Sequence, residues 1–382
     1  MSLIRFRLCS YLSQLKVWES VVRICFICVE IFAWGKYGGF GRATRIIGRE
    51  LVKRGIEVFA VVPRRKGQKP VEELDGITVL SFPPYHPLSA IDFSKQCDAD
   101  IYHSQEPSLV TYLAMRAMPN RKHVVTFRDP RDTQDWKIEF LNPSISKLRV
   151  LCNYLYEDSF LVKRAIQRAN GVFCTAQHLV SKVKSKYGLK SDPNFLPTPV
   201  FVADKVQKSI TPTVCFLARW DKRKRPEIFF NLAKKFPHVK FIAIGKAQDM
   251  EWDGYLRKTY SSLPNLEMTG FIDQFATDEL SRLLEKSWIL VNSATREGLP
   301  TSFLEALSHR CAILSQVNPD GIAERFGYHV KDDDFVQGLE RLLERDAWRE
   351  KGESGYRYVK ENYELRKVID QHISVYCETL KK

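Results

Sequence analysis

From Ile24 onward the chain alternates apolar runs of strand length with stretches whose apolar residues recur every three to four positions. Ile24–Phe32 is one such run. Ala43, Ile46, Ile47 and Leu51 then trace a helical face, and after Gly55 the run Ile56–Val62 predicts a second strand. Thr78–Phe82, Ile101–Ser104, His123–Phe127 and Gly171–Cys174 continue the strand series, with a clear helical pattern over Ser159–Ala169. Between Leu196 and Pro212 three prolines and several polar residues interrupt the rhythm, which is how a linker reads. The alternation then restarts: Thr213–Ala218, Val239–Ile244, Leu266–Thr269, Trp288–Asn292 and Ala312–Ser315 are strands, Glu227–Lys235 and Thr277–Glu285 helices, and Asp346 to the end a helical tail. Such repeated alternation predicts parallel sheets covered on both faces. The expected fold is α/β, two tandem Rossmann-like, doubly wound domains with the cleft between them. The expected boundaries are an extension over 1–21, a first domain over 22–205, a second over 206–362, and a final helix over 363–382.

Length supports the same count, because 382 residues exceed what one hydrophobic core usually organises. A net charge of +14 favours phosphate-rich ligands, nucleic acid or an anionic membrane. Nine cysteines without framework spacing read as buried fillers in a reducing compartment, so a cytoplasmic location is expected. Cys25 and Cys28 form a C-x-x-C, but in a strand positions i and i+3 point to opposite faces, which argues against a redox or zinc pair. No uncharged apolar run approaches the length of a membrane span. Met1–Val22 mixes Arg5, Arg7 and Lys16 with large apolar residues, and two readings stay open: a basic amphipathic anchor making peripheral contact with an anionic membrane, or an extension outside the fold.

In open α/β sheets ligands gather at the carboxyl ends of the strands, so the loops there are where chemistry is expected. The first such loop holds Gly38, Gly39, Phe40 and Gly41 and opens a helix, allowing backbone N–H groups to approach a ligand. It is not the dinucleotide fingerprint, because Thr44 stands where a third glycine is needed, and a nicotinamide enzyme is disfavoured. Arg219 and Lys224 lie in a basic loop between a strand and a helix, suited to neutralising a diphosphate; a solvated charge run is the plainer alternative. In Asn292-Ser-Ala-Thr-Arg-Glu297-Gly-Leu-Pro-Thr-Ser-Phe-Leu-Glu305 a strand ends, a turn follows and a helix starts near Pro300. Gly298–Ser302 would then offer N–H groups to a phosphate. Glu305 can face the same cleft as Glu297, or complete a capping box with Ser302.

The pair Glu297 and Glu305, an E-x7-E within a strand–loop–helix, resembles the signature of glycosyltransferase family 4, the large retaining family with the GT-B fold. Arg219 with Lys224 matches its R-x4-K upstream, and the glycines at 38–41 match its acceptor-side loop. The resemblance spans about residues 22–380 and implies that the final helix, 363–382, crosses back to the first domain. It implies Arg219 and Lys224 on the diphosphate of a nucleotide-sugar donor, Glu297 near the transferred sugar and Glu305 on the ribose hydroxyls. Gly298, Leu299, Pro300 and Thr301 would complete the donor site. It further implies retention of anomeric configuration by front-face substitution, with no carboxylate nucleophile, no metal and no cofactor beyond the donor itself.

Two departures stand out. Relatives have His-Asp where this chain has Arg128-Asp129, making Arg128 a candidate contact for an anionic acceptor and putting the usual histidine's role in question. Relatives also tend to carry glycine where Arg310 follows the Glu305 helix, which puts the local turn in question. His103, at a strand end where relatives often have histidine, is either a site residue or a packed one. Asp98-Ala-Asp100 matches the D-x-D of metal-dependent transferases but precedes its strand, at the wrong end of the sheet, and Asp332–Asp334 reads as a loop and helix start; no metal is expected. The competing readings are a sugar-nucleotide epimerase of the same fold, a hydrolytic or inactive relative, and a non-enzymatic basic protein binding nucleic acid or membrane. The last lacks any nucleic-acid module, and no nucleic-acid partner is expected.

Overall fold

The computed structural model describes residues 22–35, 37–141, 143 and 146–382. The N-terminal segment with its two readings lies outside them, apart from the buried Val22. Among the described residues there are fourteen strands: β1 (Arg23–Cys28), β2 (Glu57–Pro63), β3 (Val71–Leu74), β4 (Ile77–Phe82), β5 (Ile101–Gln105), β6 (Lys122–Phe127), β7 (Gly171–Cys174), β8 (Asn194–Phe195), β9 (Thr213–Leu217), β10 (Lys240–Ile244), β11 (Leu266–Gly270), β12 (Ile289–Asn292), β13 (Ala312–Ser315) and β14 (Gly327–His329). They form two sheets, ordered β3-β4-β2-β1-β5-β6-β7-β8 and β11-β10-β9-β12-β13-β14. The chain forms two compact units. One comprises the chain through Phe127 with Glu157–Phe173 and His372–Lys382, the other Arg128–Tyr156 with Cys174–Gln371.

In the second unit, strand alternation sorts the core into two layers. Val214, Phe216, Phe241, Ala243, Ile289, Val291, Ala312 and Leu314 point to one face of the sheet, into a cluster with Phe229, Phe230, Leu256, Leu339 and Trp348. Their neighbours Cys215, Ile242, Ile244, Leu290 and Ile313 point to the other, against Leu280, Leu284, Phe303, Leu307, Val359 and Tyr363. Successive strand residues face opposite ways, so apolar residues at every strand position require helices on both sides. The neighbour pairs in this sheet are all parallel.

The connectivity fixes where a ligand can enter. From β9 the chain winds outward through β10 to β11, then returns to place β12 on the other side of β9. The crevice between the carboxyl ends of β9 and β12 is therefore the switch point of this sheet. In the first unit β1 has β2 on one side and β5 on the other, all parallel, so the loops after β1 and β5 hold the equivalent place. Asp98 and Asp100 lie at the opposite end of β5, where Arg121 binds both, at 2.5 and 3.2 Å.

Candidate functional site

The β9–helix loop is held by contacts that leave its basic residues fixed. Trp220 is fully buried, its carbonyl accepting the Trp252 indole N–H at 2.8 Å, with the Arg257 guanidinium 4.9 Å above its ring. Gly245 permits this path: its φ is +136°, and a Cβ there would overlap the Ala218 carbonyl. Arg219, about a third exposed, pairs with Asp221 at 3.2 Å. Arg225 takes a left-handed φ of +46° just before the helix Pro226–Lys235. That conformation is costly for any residue with a Cβ, and three anchors hold it: Nε donates to the Ser293 carbonyl at 2.7 Å, Nη1 meets Asp333 at 2.9 Å, and Nη2 binds Gln316.

The same anchors join this loop to the one after β12. Ser293 Oγ donates to the carbonyls of Lys224 and Arg225, at 2.7 and 2.9 Å, and Thr295 N donates to Arg223 O at 3.1 Å. Lys224 Nζ forms an ion pair with Glu297 Oε1, with both side chains less than one-fifth exposed. Of the residues singled out from sequence, Lys224 and Glu297 are thus brought into direct contact.

Gly298 packs onto the backbone that follows β6. A Cβ at this position would overlap the Arg128 carbonyl and lie 3.2 Å from Asp129 Cβ, so only glycine lets the two segments meet. Arg128 is 5% exposed and donates through Nη1 to Thr198 Oγ1 at 2.8 Å. Pro300 is the N-cap of the helix Thr301–Ser308 and has extended backbone angles. Ser302 therefore sits inside the helix, which removes the capping-box reading of Glu305; Glu305 is buried in the first two turns. Arg310 has a left-handed φ, +57°, at the position where the resemblance leads glycine to be expected. Its side chain compensates, with Nε 2.8 Å from Glu353 and the guanidinium 3.8 Å over the Tyr356 ring.

His309, next to the helix end, is held neutral. Nδ1–H donates to the Glu305 carbonyl at 2.8 Å and Nε2 accepts from Ser281 Oγ at 2.7 Å. Burial is the main cause of its low pKa, about 4; the carbonyl contact opposes the shift and the charge of Lys208 adds to it.

A buried ion network beside these loops was not foreseen from sequence. Arg296 binds Asp129 through two nitrogens and Asp135 at 2.6 Å, and lies 3.8 Å from Glu139. Lys182 binds Asp135 and, at 3.2 Å, Asp132; Arg223 binds Glu139. Burial pushes the Asp135 carboxyl up, but hydrogen bonds from Lys182 and the Asp132 backbone, with the charge of Arg296, bring it to about 2. A partial signal existed: Asp132, Asp135 and Glu139 recur at helical spacing, and Arg296 adjoins Glu297.

In the first unit Gly38 is the N-cap of the helix Gly39–Val52. The Glu30 carboxylate sits at this helix start, accepting from Gly41 N at 3.0 Å, and a Cβ on Gly38 would overlap it. A Cβ on Gly41 would lie 2.8 Å from Phe32 N. Phe40 is partly buried beside them. His103 is fully buried in β5, its Nδ1 2.8 Å from Tyr376 Oη and its Nε2 2.7 Å from Thr126 Oγ1. Among the described residues no cluster of His, Cys, Asp or Glu has the arrangement of a metal site, and no helix is long and apolar enough to cross a membrane. Six of the eight described cysteines are buried, and Cys25 Sγ lies 3.7 Å from Cys97 Sγ.

Solved structures share this architecture. Sucrose-phosphate synthase from Thermosynechococcus elongatus aligns over 94% of this chain and 98% of its own, with a TM-score of 0.71 and 14% identity. HepE from Anabaena, solved in complex with UDP-glucose, covers 94% and 99% at a TM-score of 0.67 and 14% identity. The pneumococcal O-GlcNAc transferase GtfA, in complex with UDP and GlcNAc, covers 95% and 100% at 0.66 and 8% identity. No curated protein matches the chain by sequence. Two α/β sheets in tandem, with a charged loop pair at the switch point of the second, make up the GT-B fold. Residues 37–200 match the model for Glycosyltransferase Family 4 and residues 211–345 that for Glycosyl transferases group 1. The chain belongs to this family, the group 1 or family 4 glycosyltransferases, which use nucleotide-sugar donors.

Proposed function

We propose that the chain transfers a hexosyl or related sugar from a nucleoside-diphosphate sugar to a hydroxyl of a glycan, a lipid-linked acceptor or a small molecule, with retention and without a metal. The observation that carries this reading is the Lys224–Glu297 ion pair, which couples the basic loop after β9 to the acidic loop after β12. A diphosphate arriving at Arg219 and Lys224 competes with Glu297 for the ammonium. Its charge is then neutralised by residues that need no reorganisation, because Trp220, Arg225 and Ser293 already fix their loop. Release from Lys224 leaves the Glu297 carboxylate to bind the transferred sugar. Glu305 takes the ribose hydroxyls, and the N–H groups over Gly298, Leu299, Pro300 and Thr301, proline excepted, take phosphate oxygens at a helix start.

In this reading the departing phosphate oxygen accepts the acceptor's hydroxyl proton on the face where the new bond forms, so no carboxylate has to attack the sugar. The first unit, with Gly38, Gly39, Phe40 and Gly41, supplies the acceptor side, and the second supplies the donor side. Buried His103, with both ring nitrogens engaged, orders this side rather than touching sugar.

The test pairs binding with turnover. Thermal melts with UDP, GDP, ADP and TDP identify the base, since a ligand that binds only the native state raises its apparent stability. The matching sugar nucleotide is then supplied with and without candidate acceptors and the product's anomeric configuration read by NMR. Donor consumption that requires an acceptor, with the configuration kept, supports transfer with retention. Epimerised donor in the absence of acceptor overturns it in favour of an epimerase.

A further inference from the structure

In the second unit the helix Lys147–Glu157 turns its apolar side away from the core. Val150 is its one buried residue, while Leu148, Leu151, Cys152 and Leu155, at i, i+3, i+4 and i+7, share a face. The three leucines are 71%, 50% and 58% exposed, values opposite to those of a helix that stabilises a core through its apolar stripe. The preceding helix, Thr133–Leu141, contributes to the same surface. Its Phe140 ring centre lies 5.3 Å from Lys147 Nζ, its Trp136 packs edge-on against Tyr154 at 5.4 Å, and Leu141 is 72% exposed.

Charge selects the occupant. Between residues 133 and 157 the acidic side chains are Asp135 and Glu139, both buried and engaged by Lys182, Arg296 and Arg223, and Glu157, partly buried at the far end of the helix. The exposed charges on this hairpin are Lys137, Lys147 and Arg149, all cationic. A short helix with an outward leucine stripe, cations beside it and no exposed acid is the pattern of a helix lying in a membrane interface. We propose that this helical hairpin docks the protein on an anionic lipid bilayer, with Leu148, Leu151 and Leu155 entering the boundary between headgroups and acyl chains and the three cations against lipid phosphates. The proposal does not rest on the reading of the donor site, and vesicle binding needs no donor, so the two can fail separately.

The full chain is sedimented with vesicles of phosphatidylcholine alone, and of phosphatidylcholine and phosphatidylglycerol in equal parts. It should partition onto the anionic vesicles, with the partition coefficient falling about tenfold or more in Leu148→Ser/Leu151→Ser/Leu155→Ser. In Lys147→Gln/Arg149→Gln the loss should be severalfold and should vanish as salt is raised. Both variants change exposed side chains, so each should keep the wild-type melting temperature and nucleotide-induced shift; the cation variant gives the answer alone should the leucine variant not fold. Three results overturn the proposal: wild-type protein that stays in the supernatant, leucine or cation variants that bind as well as wild type, or a wild-type dimer in sedimentation velocity that the leucine variant dissociates without any vesicle binding.

Discussion

Arg296 grips Asp129 with both terminal nitrogens, Nη2 2.6 Å from Oδ1 and Nη1 2.9 Å from Oδ2, across 167 positions of sequence. Two parallel N–H bonds fix angle as well as distance, which no lysine can reproduce. The pair therefore sets the segment after β6 against the loop that carries Glu297.

Replacing Arg296 by Met should strand Asp129 and Asp135 in a partly desolvated position and destabilise the second unit by about 3 kcal/mol, read from chemical denaturation. Arg296→Lys should recover only part of that loss, because one ammonium cannot serve both carboxylates in the same geometry. Full recovery by lysine would show that charge alone matters here.

The Lys224–Glu297 pair predicts effects of opposite sign on binding and on turnover. Glu297→Gln frees the ammonium, so the nucleoside diphosphate should bind severalfold tighter, while transfer falls by about a hundredfold. Lys224→Met should weaken the diphosphate by about tenfold or more. Calorimetric titration of both variants checks the pattern, and weaker nucleotide binding by Glu297→Gln would contradict the competition argued for this pair.

Two glycines give a contrasting pair. Gly298→Ala forces its Cβ into the Arg128 carbonyl and should cost about 1–3 kcal/mol and abolish the nucleotide-induced melting shift. Gly254 lies within the helix Met250–Tyr260 with no atom within 4 Å of an added Cβ, so Gly254→Ala should stabilise by up to about 1 kcal/mol. Thermal melts of the two proteins separate close packing from general helix propensity.

His309 predicts how stability responds to mild acid. Its folded pKa, about 4, lies below the ordinary 6.5, so the unfolded chain takes up the proton first as pH falls. Stability is fully present above pH 6.5 and declines down to pH 4, by about 2 kcal/mol at pH 5. The melting temperature of His309→Gln should therefore fall less than that of wild type between pH 7 and pH 5. Asp135 acts in a lower window, from its ordinary 3.8 down to about 2, so its contribution stays intact at pH 5.

The two sheets were legible because their central strands, such as β1, β9, β12 and β13, are buried on both faces and read as apolar runs; Gly171–Cys174 and Ala312–Ser315 have the bounds their sequence implies. β3 was hidden because Val-Glu-Glu-Leu is an exposed antiparallel edge with no apolar run, and β14 is only three residues long. The helix Lys147–Glu157 escaped notice because its apolar stripe does not face a core. At the site, the basic and acidic loops could be found because switch-point chemistry concentrates in loops between a strand and a helix. The pairing of Asp129 and Asp135 with Arg296 could not, since nothing local in sequence announces a partner 161 or 167 residues away.

Glu30 gives the loop over residues 38–41 a character its glycines do not advertise. With a carboxylate already bonded to Gly41 N, the positive end of the helix Gly39–Val52 is compensated from within the protein. A visiting phosphate would meet a negative neighbour there, whereas a neutral polyol would find a hydrogen-bond acceptor. On the proposed reading of this loop as the acceptor side, it is thereby biased toward the uncharged, hydroxyl-rich part of an acceptor, leaving any anionic portion of that molecule to be accommodated elsewhere.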